Sequence, residues 1–455
     1  MENLYLSLQK LQRGPSPTLS ECLTRAKRLI SDQSGILSKV EILNLPPGEP
    51  PVFHARTLPA DISTTTGYKS MNFGSAVSID PDVAIIKAVG ESVERYCSSH
   101  MDESKLVGAT QNELVGKGID VESLALFSSK QYSKPDFPYP KINSDTFLYW
   151  IKGFSLSENY PIWIPASIVY LPYLYRKDEP IFHGQISTGL ACGTDLSSAI
   201  CRGILEMVER DAFMIVWHNK LHCPDLDVGN INDPYIRSLI DALEEAPIQY
   251  YVKILTLDID VTTLLILIEN EGDGPPYTAL GMAVDLDPLK ALARALEESI
   301  LVYLGMTRYV RENPGYVRDP SYKQVIAPAQ HGIVHAMEPE LLETVNFLKF
   351  HVKTLTIEEL PDHKNENSVE SCKLLVELLK KSDLQTHVVD LTTVDINDVG
   401  FKVVRAVIPG MQPLDLDHAC PHLGGKRLFE VPYKLGRIQK PITDDEVNPN
   451  PHPFP

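Results

Sequence analysis

Thr188 to Ala212 reads TGLACGTDLSSAICRGILEMVERDA, and the order of its residues decides how the rest of the chain is read. Gly189 opens a short apolar run, Asp195 follows, and a helically spaced apolar segment then carries Glu206, Glu209 and Arg210. Phe73 to Cys97, FGSAVSIDPDVAIIKAVGESVERYC, repeats the pattern. Aligned on their glycines, Gly189 and Gly74, the two stretches match at Asp195/Asp80, Ala199/Ala84, Arg202/Lys87, Glu206/Glu91, Val208/Val93, Glu209/Glu94 and Arg210/Arg95. A third stretch, LGMAVDLDPLKALARALEESI from Leu280 to Ile300, takes the same register from Gly281, with Asp287, Ala291, Arg294 and Glu298. Each copy is expected to form a strand, a turn and a helix, with the aspartate accepting free amides of the helix's first turn.

Helix capping explains the aspartates but not the glutamates. Residues three apart share a helix face with about 5 to 6 Å between their Cβ atoms, so Glu91 pairs with Glu94 and Glu206 with Glu209. Like charges at that spacing destabilise a helix unless a cation bridges them. Magnesium takes oxygen ligands, typically one or two carboxylates completed by water and substrate phosphates. Arg95, Arg210 and Arg294 in the same units offer the planar donors that phosphate oxygens favour. The constellation points to a polyphosphate bound with metal ions. It does so without a G-x-x-x-x-G-K-[ST] loop, a G-x-G-x-x-G turn or a kinase motif set, so a nucleotide here would be held by helix-borne side chains.

Outward from the repeats, SECLTRAKRLIS reads as a first helix, started near Pro17 and Thr18. ILSKVEILNL, FLYWIKGFSL, YYVKILTLDI, TTLLILIEN and THVVDL read as strands, and SVESCKLLVELLKKS as a late amphipathic helix. The mixed order predicts an α/β (α+β) fold, with the repeated units packed on mixed sheets. Residues 1–16 read as an N-terminal extension, 17–455 as one domain, and 441–455 as its proline-rich tail.

The chain has 455 residues, a formal charge of −18 and seven scattered cysteines without a C-x-x-C pair. Its acidity disfavours nonspecific binding to nucleic acid or anionic lipid, and the cysteine pattern argues against a disulfide framework or a zinc ribbon. No segment reads as a secretory signal or a membrane helix, so a cytoplasmic protein is expected. In DLDHACPHLGGKR, His418, Cys420 and His422 sit near Asp415 and Asp417 and admit a metal reading, although no second cluster closes a four-ligand zinc site. Cys192 and the Trp217-His218 pair read as packing residues.

The segments SVERYC preceded by Glu91, LACGTDLSSAICRGILEMVERDAF and ALARALEES, together with the terminal PHPFP, resemble the YcaO family over about residues 17–455. More narrowly, the ending resembles the azoline-forming cyclodehydratases that modify ribosomally made peptides. The resemblance implies an ATP-dependent fold, with Glu91, Glu94, Glu206, Glu209 and Glu298 as magnesium ligands or their supports and Arg210 and Arg294 on phosphate. Arg95 matches its motif, with nucleotide and a neighbouring carboxylate both open as partners. Thr194 and Ser198 depart from the Asn and Glu usual at their positions, with Asp195 as a substitute ligand. Lys87 replaces a common Ser and is either a phosphate contact or solvated, while Ser34 lies in a turn that resembles one near nucleotide and reads equally well as an ordinary turn.

The implied chemistry is attack by a Cys, Ser or Thr side chain on the preceding backbone carbonyl of a precursor peptide, followed by phosphorylation of the oxyanion and loss of phosphate to give a thiazoline or oxazoline. The proline tail is implied to aim the carboxylate of Pro455 into the nucleotide site as the base, since polyproline geometry holds its shape at low entropic cost. A separate leader-binding or ubiquitin-activating-like partner is implied, and a homodimer is possible. Backbone thioamidation and a non-catalytic ATP-binding subunit are the alternatives.

Overall fold

A computed structural model describes residues 17–455 except 62, 64–72 and 273; the extension expected over 1–16 lies outside them. Thr18 caps the first helix, α1 (Leu19–Lys27), by accepting the Glu21 amide, while the Glu21 carboxylate accepts the Thr18 amide in return. The strands are β1 (Leu37–Leu43), β2 (Phe53–Pro59), β3 (Ser75–Ser78), β4 (Val107–Ala109), β5 (Leu148–Ser155), β6 (Tyr160–Pro165), β7 (Leu190–Gly193), β8 (Asp225–Leu226), β9 (Ile248–Ile254), β10 (Thr262–Asn270), β11 (Thr278–Asp285), β12 (Thr354–Leu355), β13 (His387–Asp390) and β14 (Lys402–Val407). Among the described residues they form three sheets, ordered β1-β2-β3, β4-β5-β13-β14-β7 with β6 also on β5, and β11-β10-β9-β8-β12. Neighbours run antiparallel except β12 on β8.

The three repeats become β3 with α2 (Pro81–Ser99), β7 with α3 (Leu196–Asn219), and β11 with the helix Pro288–Glu312. Between the last two lies a helix that the sequence reading missed, α4 (Pro234–Glu244), so the third repeat helix is α5. Asp80, Asp195 and Asp287 cap α2, α3 and α5 as expected. Each repeat strand stands at the end of its own sheet. Each repeat helix packs on its own strand and also on the strand of another unit: α2 on β7, α3 on β11 and α5 on β3. The three units thereby close into a ring.

The glycines that align the repeats serve this packing. A Cβ on Gly74 would fall 1.8 Å from the Ala88 carbonyl oxygen, and one on Gly281 2.1 Å from the Ser299 amide. Both obstacles are backbone, so only glycine lets strand and helix approach this closely. Gly281→Ala is expected to destabilise the protein by about 1 to 3 kcal/mol through overpacking, read as a lower midpoint of chemical denaturation. An unchanged midpoint would show that α5 can move outward freely.

Helix α3 runs six residues beyond Phe213, the last residue of the motif LACGTDLSSAICRGILEMVERDAF. Phe213, Met214, Ile215, Val216 and Trp217 are all buried, so this part of the helix has no wet face to mark it. Lys220 ends it in a left-handed conformation. Beyond α5 come α6 (Pro328–Met337), α7 (Ser368–Lys381) and α8 (Lys426–Lys434). Arg427 of α8 clamps Asp211 of α3 and Asp258 with paired hydrogen bonds, tying the chain's last helix to the second repeat.

Candidate functional site

The ring brings the repeat glutamates toward one another. The first glutamate of each unit is tied to a backbone amide at that unit's strand: Ser75 N–H donates to Glu91 Oε2 at 3.0 Å, Gly189 N–H donates to Glu206 Oε2 at 2.9 Å, and Met282 donates to Glu298. The basic residues of two units also repeat their bonds, Arg202 Nη1 reaching the Cys192 carbonyl and Arg294 Nη1 the Val284 carbonyl. Arg95 spans Glu91 at 3.7 Å and Glu94 at 4.0 Å, and Arg210 spans Glu206 at 3.5 Å and Glu209 at 3.4 Å. Each arginine is thus set between two carboxylates of its own helix, and Glu206 lies near enough to act on Glu91, Glu94, Glu209 and Glu298, so the carboxylates of three helices form one cluster.

That cluster is electrostatically loaded. Burial pushes the Glu94 carboxyl up to about 8; Arg95 opposes the rise, and Glu206 and Glu91 add to it. Burial likewise lifts Glu209 to about 8, against Arg210 and with Glu298 and Glu206. Burial works against the Arg210 guanidinium, but Glu209, Glu206 and Glu298 together hold it above its ordinary value. Among the described residues no three His, Cys, Asp or Glu side chains are gathered as a ready-made cage for one ion. Magnesium with a polyphosphate does not need one, because water and phosphate oxygens complete its shell. The donor set fits such a group: crowded carboxylates for the cation, and for an anion the buried Arg210 guanidinium, whose Nη1 makes no hydrogen bond and only the 3.4 Å ion contact to Glu209.

Several residues lie elsewhere than the sequence suggested. Asp195 stands eleven residues before Glu206, roughly 16 Å along α3. Its Oδ1 accepts from the Ser198 amide at 2.9 Å and from Ser368 Oγ at 3.4 Å, so it is a helix cap and not a companion of the glutamates. Ser198 completes that capping box, which gives the departure from the family pattern a local structural role. Lys87 is not simply solvated: its Nζ pairs with Glu297 at 2.5 Å, and Tyr235 hydroxyl donates to the same carboxylate, joining α2, α4 and α5. Ser34 is exposed in the turn after α1, its amide on Ser31 Oγ, and among the described residues no hydrogen bond joins it to the carboxylates. Arg294, by contrast, stays with the glutamates: partly exposed and held by Asp285 at 3.2 Å, it is acted on by Glu209 and Glu298.

The tail enters this site. Asn448 N–H donates to the His218 carbonyl and Asn448 Nδ2 to the Trp217 carbonyl, while Trp217 Nε1 donates to the Asn450 carbonyl at 3.4 Å. His335 on α6 donates to the Pro451 carbonyl at 2.7 Å, and His452 to the Asp415 carbonyl at 3.0 Å. The His452 ring stacks flat on His331, 3.8 Å between centroids. Phe454, 1% exposed, presents its ring to the Arg210 guanidinium at 4.0 Å. Pro455 follows, beside Gly332 of α6 and Met306 of α5: a Cβ on Gly332 would sit 3.0 Å from Pro455 and 3.5 Å from Met306. The second and third repeats thus border the arriving chain end.

The Asp415 cluster is part of that tail support. Asp415 accepts from His218 Nε2 at 2.8 Å and from His422 Nδ1 at 3.1 Å, which fixes both rings and leaves no closed zinc set. Trp217 and His218 do pack, as expected, but the Trp217 indole N–H and the backbone carbonyls of both residues also hold the tail. The sequence reading missed that role, along with Phe454 and Arg405; for Arg405 the available signal was a lone charge inside the apolar run FKVVRAVIPG.

Residues 77–412 match the family model described as YcaO cyclodehydratase, ATP- and Mg2+-binding. The chain belongs to the YcaO family. It is 25% identical over 346 residues, 75% of this chain and 81% of the relative, to an uncharacterized protein of Methanothermobacter thermautotrophicus. It is 22% identical over 280 residues, 58% of this chain and 60% of the relative, to an uncharacterized protein in the tfuA 3' region of Rhizobium leguminosarum bv. trifolii. A heterocyclase in complex with substrate and cofactor shares the YcaO fold seen here with a TM-score of 0.80 at 24% identity, over 97% of this chain and 58% of that one. The YcaO from Methanopyrus kandleri bound with AMPPCP and Mg2+ does so at 0.63 and 19% identity, over 86% of this chain and 90% of that one. This YcaO chain therefore spans little more than half the length of the heterocyclase. Among the described residues of the YcaO chain, no helix is long and apolar enough to cross a membrane.

Proposed function

We infer that this YcaO protein is an ATP- and Mg2+-dependent cyclodehydratase of a ribosomally made precursor peptide. The observation that carries the reading is the tail: its last aromatic ring lies on Arg210, between the glutamates of the second repeat, and Pro455 comes next. Glu91, Glu94, Glu206, Glu209 and Glu298 would hold Mg2+, and Arg95, Arg210 and Arg294 would face the phosphates. Bound ATP supplies a phosphoryl group that turns the amide oxygen into a leaving group.

The remaining chemistry belongs to this chain and the peptide. The Pro455 carboxylate takes the proton from the Cys, Ser or Thr side chain as its sulfur or oxygen bonds to the preceding carbonyl carbon. The resulting oxyanion is phosphorylated, and phosphate departs with the former amide oxygen as the ring nitrogen loses its proton and forms the C=N bond. Position within reach of the attacking group matters more for such a base than its nominal acidity. The peptide would be presented by a separate leader-binding or ubiquitin-activating-like partner.

The test is the intact mass of a candidate Cys/Ser/Thr-rich peptide after incubation with the protein, its partner, ATP and Mg2+. One water mass lost per modified residue is expected. Exchange of oxygen for sulfur when sulfide is supplied would assign thioamidation instead, and an unchanged mass with all components bound would assign a binding subunit.

A further inference from the structure

Arg405 lies on β14, opposite Leu190 of β7, in the strand pair that carries the second repeat. Its neighbour Ala406 donates to the Gly189 carbonyl at 2.7 Å, and the Gly189 amide in turn holds Glu206. A Cβ on Gly189 would fall 2.4 Å from the Ala406 oxygen, so β14 is pressed against the base of the glutamate site. The Arg405 side chain is 6% exposed. Its Nη2 donates to the Ile186 carbonyl at 2.8 Å, but its Nη1 is buried without a partner. Among the described residues the guanidinium makes no ion pair.

A buried cation without a counter-ion is an exception that needs a physical cause, because buried charges are ordinarily paired and buried donors ordinarily bonded. Glu206 and Glu94 are the carboxylates whose fields reach it most strongly, and Arg95 opposes them. Burial nevertheless lowers its pKa to about 10, so these glutamates do not make up for the lost hydration. What the position lacks is an anion that brings its own oxygen to Nη1. We propose that Arg405 is a phosphate-binding residue of this site, donating from Nη1 to an anionic phosphate oxygen, and that it does so from the sheet side while Arg95 and Arg210 act from the helices.

This inference rests on the nucleotide reading above, and its test separates the two. Affinities of the full chain with Mg2+ for ATP, AMP, adenosine and inorganic phosphate are measured by calorimetry in the wild type, Arg405→Lys and Arg405→Met. Both variants are expected to lose about tenfold or more for the phosphate-bearing ligand that Arg405 touches while keeping adenosine affinity, which also reports that they are folded. Lysine is not expected to rescue, because a point charge on a flexible stem does not reproduce a fixed two-pronged donor. Loss for ATP but not AMP or inorganic phosphate places the contact beyond the first phosphate; loss for inorganic phosphate as well identifies a site that also holds the released product. Unchanged affinities in both variants, with the wild type binding ATP, would overturn the inference and leave the nucleotide reading standing. Full rescue by lysine would assign Arg405 to charge neutralisation of Glu94 and Glu206 alone. A wild type that binds inorganic phosphate but no nucleotide would sink the nucleotide reading, with weaker phosphate binding in both variants upholding the Arg405 inference and unchanged binding overturning it; a wild type that binds neither would end both.

Discussion

Deleting Pro455 alone is expected to lower ring formation by about 10²- to 10⁴-fold, the range a positioned general base contributes, with ATP affinity within about twofold of wild type. The deletion draws the terminal carboxylate back by one residue, about 3 Å along a polyproline path, which is enough to take it out of reach. It leaves Phe454 on Arg210, Pro451 on His335 and His452 on Asp415, so the rest of the site keeps its supports. Removing the last five residues is a different experiment. It takes away the ring that packs on Arg210 and the imidazole that stacks on His331, so ATP affinity is expected to fall together with ring formation. Peptide mass against time, with nucleotide affinity measured in parallel, separates the two. Unchanged ring formation after loss of Pro455 would remove the chain end from the mechanism.

The second large effect is expected at Glu209. Replacement by glutamine keeps its shape and gives up the ion contact to Arg210, but it also removes a carboxyl whose charged form is opposed by burial and by Glu298 and Glu206. The ligand-free protein should therefore melt at the wild-type temperature or slightly above. Its response to Mg2+ and ATP should nearly disappear. A ligand at 100 times its dissociation constant stabilises by about 2.7 kcal/mol, and a 100-fold weaker site leaves about 0.4 kcal/mol at the same concentration. Thermal melts with and without Mg2+ and ATP read both halves of the prediction. A full ligand response in the variant would show that Glu209 holds no part of the metal and nucleotide.

Much of this arrangement was legible because it is local. A glycine, an aspartate six residues on and a glutamate eleven beyond that describe one strand, one cap and one helix face, and those relations are set by neighbours within a few turns. The aspartates became caps, the glutamate pairs share a face, and the mixed fold followed from the alternation of periods. Where the structure differs from the sequence reading, the cause is also local. Asp195 lies in the motif that carries the glutamates, yet as a helix cap it stands about three turns from Glu206. The last six residues of α3 are not marked by the sequence because a helix buried on all sides has no polar stripe to betray it.

What sequence by itself determined is the inventory of units: three strand-turn-helix copies, their capping residues, and which carboxylates and guanidinia each helix displays. Only the tertiary structure decided that α2 packs on β7, α3 on β11 and α5 on β3, and that ring is what sets the glutamates of separate helices against each other. It also decided that Lys87 pairs with Glu297, that Arg405 comes up beneath the second repeat, and that Phe454 lies on Arg210. Each of these joins residues about 200 or more positions apart, and nothing in the local spacing encodes them. They depend on how the ends of three sheets meet, a choice made by the burial of whole apolar faces and not by any short pattern.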